Sequence, residues 1–464
     1  WSSDVCSSDL KTIMQNIVIF GAGRSATSLI KYLLREAQGR DWHVTVADMS
    51  LDLAVAKIGD SAHATAVQCS ADDTPLRRSL IERAAVVVSM LPVSLHQLVA
   101  DDCLSLGKSL FNASYISDHL RSIDAQVQAK GLLFLCELGL DPGIDHMSAM
   151  QIIYELREQG AKIEAFRSYT GGLVAPESDD NPWHYKFSWN PRNVVVAGQS
   201  TAKYLHAGQM RYVPYPRLFA EAETVHILGM GDYEIYPNRD SLGYRSAYLL
   251  DDVPTLLRAT IRHKGFSRAW YILAQLGLTD DAYALPHSAT LSYGEFFRSF
   301  LPPHVLAATG GNVRLALAQL FRLPSNDAAL DQIEWLEIYS DQRRVTLKNA
   351  TPAQILQALL EEKWLLRPEE KDMVIMQHEF TYVLRGKRYQ RLSTLVQYGD
   401  NATDTAMSNL VGLPLAIGVK QYLLGNLRAS GVRMPNTPDL YAPIMAELAS
   451  IGVRFEEQVT ELAG

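Results

Sequence analysis

Cysteine is scarce in this chain, and long apolar runs and excess positive charge are missing from it. It has 4 cysteines in 464 residues. Cys69, Cys103 and Cys136 are scattered, so neither a disulfide framework nor a CxxC metal site is on offer. No His, Cys and Asp cluster shows metal-ligand spacing, so no metal is expected. No uninterrupted apolar run approaches the roughly 20 residues of a membrane span, and the best candidate, 411–419, is broken by Pro414. The net charge of −8 argues against the basic face that nucleic acid requires. Repeats and low-complexity segments are also absent. A cytoplasmic protein with small-molecule ligands is the expectation. The composition, 47% hydrophobic and 20% charged, is ordinary globular, and the length suits two or three domains.

The opening decapeptide WSSDVCSSDL has the sequence of a sequencing adapter read as codons. Met14 is therefore the expected start, and residues 1–13 are set aside, Cys6 among them. They carry neither the basic n-region nor the apolar h-region of a signal peptide.

From Asn16 the chain reads NIVIFGAGRSATSLIKYLLREA. The apolar run 17–20 predicts a buried strand of a parallel sheet. Gly21-Ala22-Gly23-Arg24-Ser25-Ala26 then matches GxGxxA, and Leu29, Ile30, Leu33 and Leu34 share one helical face. The chemistry needs these residue types. Gly21 permits the tight turn, Gly23 lets backbone N–H groups approach a pyrophosphate, and small Ala26 lets helix and strand pack closely. A second strand, 43–47, ends in Asp48. An acid there is placed to bind the adenosine ribose hydroxyls and repel a 2′-phosphate, which favours NAD over NADP; the alternative is that Asp48 merely caps a strand end. Further strands at 85–91, 109–114 and 132–138, with a helix at 117–129, predict a Rossmann-type doubly wound α/β sheet. Ligands of such sheets bind beyond the carboxyl ends of the strands. The candidate stretches are therefore Leu91-Pro92, Ala113-Ser114-Tyr115 and 137–143.

The stretch YTGGLVAPESDDNPWHYKFSW, 169–189, is too rich in Gly, Pro and Asp for a helix. Loops of that length are usually functional or disordered, and the rings near its end argue against disorder. Beyond it, apolar positions at helical spacing over 313–320 and 353–365 suggest a small helical subdomain. The stretches 373–382 and 390–397 read as strands, and 406–424 as a helix around Pro414.

The motifs ELGLDPGIDH (137–146), the loop just quoted, YPNRDS (236–241), SYIS (114–117), QHEF (377–380) and STLVQYGD (393–400) occur in an order that resembles the saccharopine dehydrogenases. The likeness runs over nearly the whole chain from Met14 and is nearest to the L-glutamate-forming members. It implies an NAD(P)-linked oxidoreductase that interconverts saccharopine with L-glutamate and 2-aminoadipate 6-semialdehyde. The architecture implied is a Rossmann domain over 14–140 and an inserted α+β substrate domain over 141–400, with a helical insert at about 280–367. A segment 401–464 would return to the Rossmann domain. Substrate contacts carry over onto Ser114, Tyr115, Asp141, Arg239, Thr260, Ile261 and Arg262. Cofactor contacts carry over onto the Gly21–Ala26 loop, Asp48, Leu91, Ala113, Ser114, Leu140, Asp141, Pro142 and Asn190. Two departures from the fungal pattern stand out: Thr170 replaces a frequent Cys, and Asp48 replaces a basic residue. The second raises the NAD expectation over NADP.

Saccharopine carries three carboxylates, and Arg239 and Arg262 suit bidentate capture of two of them. Imine formation and hydrolysis need proton transfer. Asp141 is the first candidate, although an Asp ahead of Pro142-Gly143 also serves a turn. Tyr115 is the second, or else a buried hydrogen-bonded ring. His146 suits a structural role. The 169–189 stretch is expected to wall a cleft with Tyr185, Phe187 and Trp189, its two glycines giving close approach. Two rivals stay open: a related carboxyalkyl-amine dehydrogenase making a polyamine precursor, and a non-catalytic NAD-binding regulator. A homodimer is plausible through an exposed sheet.

Overall fold

A computed structural model describes residues 14–196 and 201–463; the adapter reading of residues 1–13 lies outside them. The chain divides into two compact units, one running to Ser148 and resuming over Ser408–Gly452, the other comprising Ala149–Met407 and the residues from Val453 on. Among the described residues no helix is long and apolar enough to cross a membrane.

In the first unit, β1 (Gln15–Phe20), β2 (Trp42–Asp48), β3 (Ala64–Gln68), β4 (Val86–Ser89), β5 (Leu110–Asn112) and β6 (Leu133–Leu135) join the short strand Gly431–Arg433. The sheet order is Gly431–Arg433, β6, β5, β4, β1, β2, β3, and every pairing is parallel. This is the doubly wound order, reversing between β1 and β4. The central strands are buried on both faces, as the apolar runs require. Edge strand β3 is half-exposed along its length, and so it has no apolar run to announce it. Helix Asp118–Ala129 starts where Ser117 caps it, accepting a hydrogen bond from the Leu120 N–H. The long helix Ala406–Leu423 carries Pro414 inside it. Its Gly412 lies so close to the first helix, Thr27–Ala37, that a Cβ there would meet the Leu29 nitrogen at 2.6 Å.

The second unit holds a mixed nine-stranded sheet. Its strands are β7 (Lys162–Val174), β8 (Ala202–His206), β9 (Gln209–Val213), β10 (Glu223–Ile227), β11 (Gly231–Pro237), β12 (Thr255–Arg262), β13 (Asp372–Leu384), β14 (Lys387–Tyr398) and Glu456–Glu461. The path runs β10, β11, β12, β7, β13, β14 and Glu456–Glu461, with the β8–β9 hairpin attached to β12. Only β7 and β12 run parallel; the other pairs are antiparallel. A helical layer over 266–363 encloses a separate apolar core around Trp183, Trp270 and Trp364.

The 169–189 stretch departs from its expected form. Residues up to Val174 complete β7, which pairs with β12 as far as Thr170 and with β13 as far as Val174. The true loop begins at Ala175, and side chains order it. Asn181 accepts from the Trp183 N–H at 3.0 Å and donates to the Tyr185 carbonyl at 3.1 Å. Buried Lys186 is held between Glu370 at 2.6 Å and Asp180 at 2.8 Å. Trp183 Nε1 donates to the Gln332 carbonyl at 2.7 Å.

Candidate functional site

In the first unit the phosphate-loop candidates sit at the carboxyl end of β1. Gly21 has φ of +103°, and a Cβ on it would lie 2.7 Å from the Met90 carbonyl oxygen. Only glycine lets the chain turn under the end of β4. Gly23 differs, for it has φ of −66° and open space where a Cβ would stand. Arg24 is exposed and Ser25 half-buried. Neither the short turn Arg24–Ala26 nor the helix Thr27–Ala37 is capped by its N-cap side chain. The Ser28 N–H is taken by the Ser408 Oγ at 3.3 Å and the Ala26 N–H by the Gly23 carbonyl, which leaves the first N–H groups after Gly23 for a ligand. Uncapped N–H groups beside an open glycine are what a dinucleotide pyrophosphate needs, so the residues fit the group. Asp48 ends β2 and is locked: Oδ2 accepts from the Ala22 N–H at 2.7 Å and Oδ1 from the Ser50 N–H at 2.8 Å.

Leu91 follows β4, and Ala113, Ser114 and Tyr115 follow β5. After β6 the glycines of ELGLDPGIDH allow the chain to cross itself. A Cβ on Gly143 would stand 2.0 Å from the Gly139 oxygen, and one on Gly139 would stand 3.0 Å from the Ala113 Cβ. The Gly139 N–H donates to the Pro142 carbonyl at 2.9 Å, closing a tight loop around Leu140 and Asp141. That loop brings the two acid–base candidates together, with the Tyr115 hydroxyl donating to Asp141 Oδ1 at 3.2 Å. His146 lies beneath it, completely buried, with Nε2 2.8 Å from Glu137 Oε2. Glu137 Oε1 also accepts from the Ile116 N–H at 3.0 Å, and Asp145 Oδ1 from the Gly143 N–H at 2.6 Å. This buried network ties the loop to the segment carrying Ser114 and Tyr115, in keeping with a structural His146.

In the second unit Thr170, Thr260 and Tyr236 stand in register across β7, β12 and β11. Arg258, Thr260 and Arg262 alternate onto one face of β12. The side chain of Ile261 belongs to the apolar cluster of the other face, which leaves only its main chain for a ligand. The Arg262 guanidinium is buried over three rings, 5.0 Å from Tyr185, 5.3 Å from Phe266 and 5.8 Å from Tyr236. Its Nη1 donates to the Ile261 carbonyl at 2.8 Å, while Nε has no partner among the described residues. Arg239 is exposed just past β11, in the left-handed region at φ +41°. Extending the register from Pro237 opposite Ala259 sets Arg239 about five residues, roughly 16 Å, from Arg262 along the sheet. Asn190 is exposed and caps the short helix Pro191–Val195, its Oδ1 accepting from the Arg192 N–H at 3.0 Å.

One expectation about the aromatic loop is corrected. Tyr185 and Phe187 are 1% and 3% exposed and pack on Trp364 at 5.1 and 5.3 Å, within the helical core. They form no open wall, because rings this large are stabilised most by complete burial. Tyr185 still contributes by supporting Arg262 from below. The glycines do give close approach, and it is to the protein itself: a Cβ on Gly171 would meet the Ile261 oxygen at 2.5 Å and one on Gly172 the Met407 Cε at 2.6 Å. Arg258 was missed altogether. It is buried, with its guanidinium 4.4 Å over Tyr244. The period-two alternation Arg-Ala-Thr-Ile-Arg was the signal that would have found it.

Known proteins are similar to this chain over most of its length. Residues 17–135 match the family model described as the saccharopine dehydrogenase NADP binding domain, and residues 139–453 match the saccharopine dehydrogenase C-terminal domain. The saccharopine dehydrogenase [NADP(+), L-glutamate-forming] of Saccharomyces cerevisiae is 33% identical over 96% of this chain and 99% of its own length. Its Schizosaccharomyces pombe counterpart is 29% identical over 97% and 100%. The mitochondrial alpha-aminoadipic semialdehyde synthase of mouse is 31% identical, with 48% of its length covered. The structure of the apo, histidine-tagged, L-Glu-forming enzyme from Saccharomyces cerevisiae superposes with a TM-score of 0.84 at 30% identity, over 96% of this chain and all of that one.

Proposed function

The chain belongs to the saccharopine dehydrogenase family, and on that premise we propose that it interconverts saccharopine with L-glutamate and 2-aminoadipate 6-semialdehyde. It is an oxidoreductase acting on a CH–NH bond, with a nicotinamide dinucleotide as redox partner. When bound, that cofactor takes a hydride from, or supplies one to, the substrate carbon beside nitrogen.

The protein's own residues do the rest. The uncapped N–H groups after Gly23 hold the pyrophosphate. Asp48 holds the ribose hydroxyls and turns away a 2′-phosphate, which argues for NAD here although the relatives carry NADP(+) in their names. Arg262 grips one carboxylate of a long substrate with Thr260 beside it on the same face of β12, and Arg239, past the end of β11, takes a second. Asp141, oriented by the Tyr115 hydroxyl, takes a proton from the water that adds to the substrate imine and returns it to the departing glutamate nitrogen. Leu91, Ala113, Leu140, Pro142 and Asn190 complete the cofactor contacts. Ser114 donates to bound ligand, and the main chain at Ile261 lines the substrate. The protein acts as a cytoplasmic homodimer.

One observation carries this reading: a buried guanidinium lying over three rings whose Nε has no acceptor among the described residues. A group so costly to bury unpaired is suited to a carboxylate that arrives with the substrate. The test is reduction of NAD by the purified protein. Saccharopine should support it and glutamate alone should not; no reduction with saccharopine and either nicotinamide cofactor would sink the reading.

A further inference from the structure

A buried relay in the first unit reaches Ser114 from behind. His96 opens the helix His96–Leu106 and is 6% exposed. Its Nδ1 lies 2.8 Å from the Ser89 Oγ and its Nε2 lies 2.8 Å from the Ser114 Oγ. Burial holds the imidazole down to about 4. At neutral pH it is therefore uncharged, with one ring nitrogen a donor and the other an acceptor.

Ser89 decides which is which. It ends β4 with no exposure, and its hydroxyl has no hydrogen-bond partner other than Nδ1 among the described residues. A buried O–H left without an acceptor is costly, so the Ser89 hydroxyl donates to Nδ1. The ring proton then sits on Nε2 and is donated to the Ser114 Oγ. That bond uses an acceptor site of Ser114 and leaves its own hydroxyl proton directed elsewhere. Among the described residues the Ser114 hydroxyl has no second partner; Ser114 is half-buried and lies just past β5 where ligands of this sheet bind.

We propose that His96, backed by Ser89, is a positioning residue that fixes the Ser114 hydroxyl as a hydrogen-bond donor toward an oxygen of the bound ligand. With the opposite tautomer Ser114 would present only lone pairs and would repel a carboxylate or phosphate oxygen. The inference rests on the saccharopine reading only for which ligand supplies that oxygen. A substrate carboxylate and a cofactor oxygen share the chemistry, and kinetics separates them.

The tautomer is read in the ligand-free protein by nitrogen-15 NMR of histidine-labelled material, assigned by loss of the signal in His96→Gln. The Nε2–H form is expected; the Nδ1–H form would overturn the proposal, whatever the protein turns over. Failure of saccharopine turnover alongside an Nε2–H signal would remove the activity reading and leave the relay standing. In the active enzyme, His96→Leu should raise KM about tenfold, for saccharopine if its carboxylate is the acceptor or for the dinucleotide if the cofactor is. His96→Gln, whose amide N–H can replace Nε2–H, should recover most of the loss. His96→Leu added to Ser114→Ala should cost little further. Full additivity of the two, or no recovery by glutamine in a variant that melts like the wild type, would mean His96 does not act through Ser114.

Discussion

Changing Asp48 to asparagine is the sharpest perturbation of the cofactor reading. Two main-chain N–H groups hold the carboxylate at the end of β2, so it cannot swing aside from an incoming 2′-phosphate. A unit charge pair about 5 Å apart costs about 3 kcal/mol at an effective dielectric near 20. Solvent screening lowers this to about 2–3 kcal/mol, so kcat/KM should favour NAD over NADP by roughly a hundredfold. Asparagine retains one oxygen for the Ala22 N–H and removes the charge. The preference should then fall at least tenfold, mainly through a lower KM for NADPH, with saccharopine KM little changed. Initial rates with each cofactor, repeated at low and high salt, provide the assay, and the wild-type discrimination should weaken as salt rises. A wild type that prefers NADPH, or an unchanged ratio in Asp48→Asn, would refute the reasoning.

Other substitutions separate fold from binding. Gly21→Ala forces a Cβ against the Met90 carbonyl at a positive φ and should lower Tm by several degrees, whereas Gly23→Ala should leave Tm unchanged and raise cofactor KM at least tenfold; equal melting losses in both would contradict this. Arg262→Lys keeps the charge but loses the fork, so saccharopine KM should rise by about tenfold or more while cofactor KM holds; Arg239→Ala should do the same at a cost on the order of 2–3 kcal/mol, and an unchanged KM removes either residue from the site. Burial holds His96 and His263 down to about 4, against about 6.5 in an unfolded chain. The unfolded chain therefore binds the extra protons between those values. Stability should be whole above about pH 6.5 and fall as pH drops toward 4, by at most about 1.4 kcal/mol per pH unit for each histidine. Urea midpoints across that range check it; a flat profile would refute it, and His96→Gln should reduce the slope.

Much of the first unit was legible because its signals are local. The β1 run, the Gly21–Ala26 loop and the Ser117-capped helix each declare themselves within a dozen residues. Strand β3 was not legible, because a half-exposed edge strand has no continuous apolar run. The aromatic loop was misread for a different reason. Whether Tyr185 and Phe187 face a cleft or a core depends on Trp364 and Phe266, which are far away in the chain. Arg258 was readable by alternation and overlooked. His96 was not readable, because it meets Ser89 and Ser114 only once β4 and β5 lie side by side.

The order of residues alone determined the phosphate loop, the acid at the end of β2 and the motifs that mark the family, since each depends on near neighbours and backbone geometry. Tertiary structure decided what those residues face: an Arg262 Nε with no partner among the described residues, the hydrogen bond joining Tyr115 to Asp141, and the contact of His96 with the Ser114 hydroxyl. Burial and hydrogen-bond partners come from segments distant in the chain, and only the folded sheet brings them within reach.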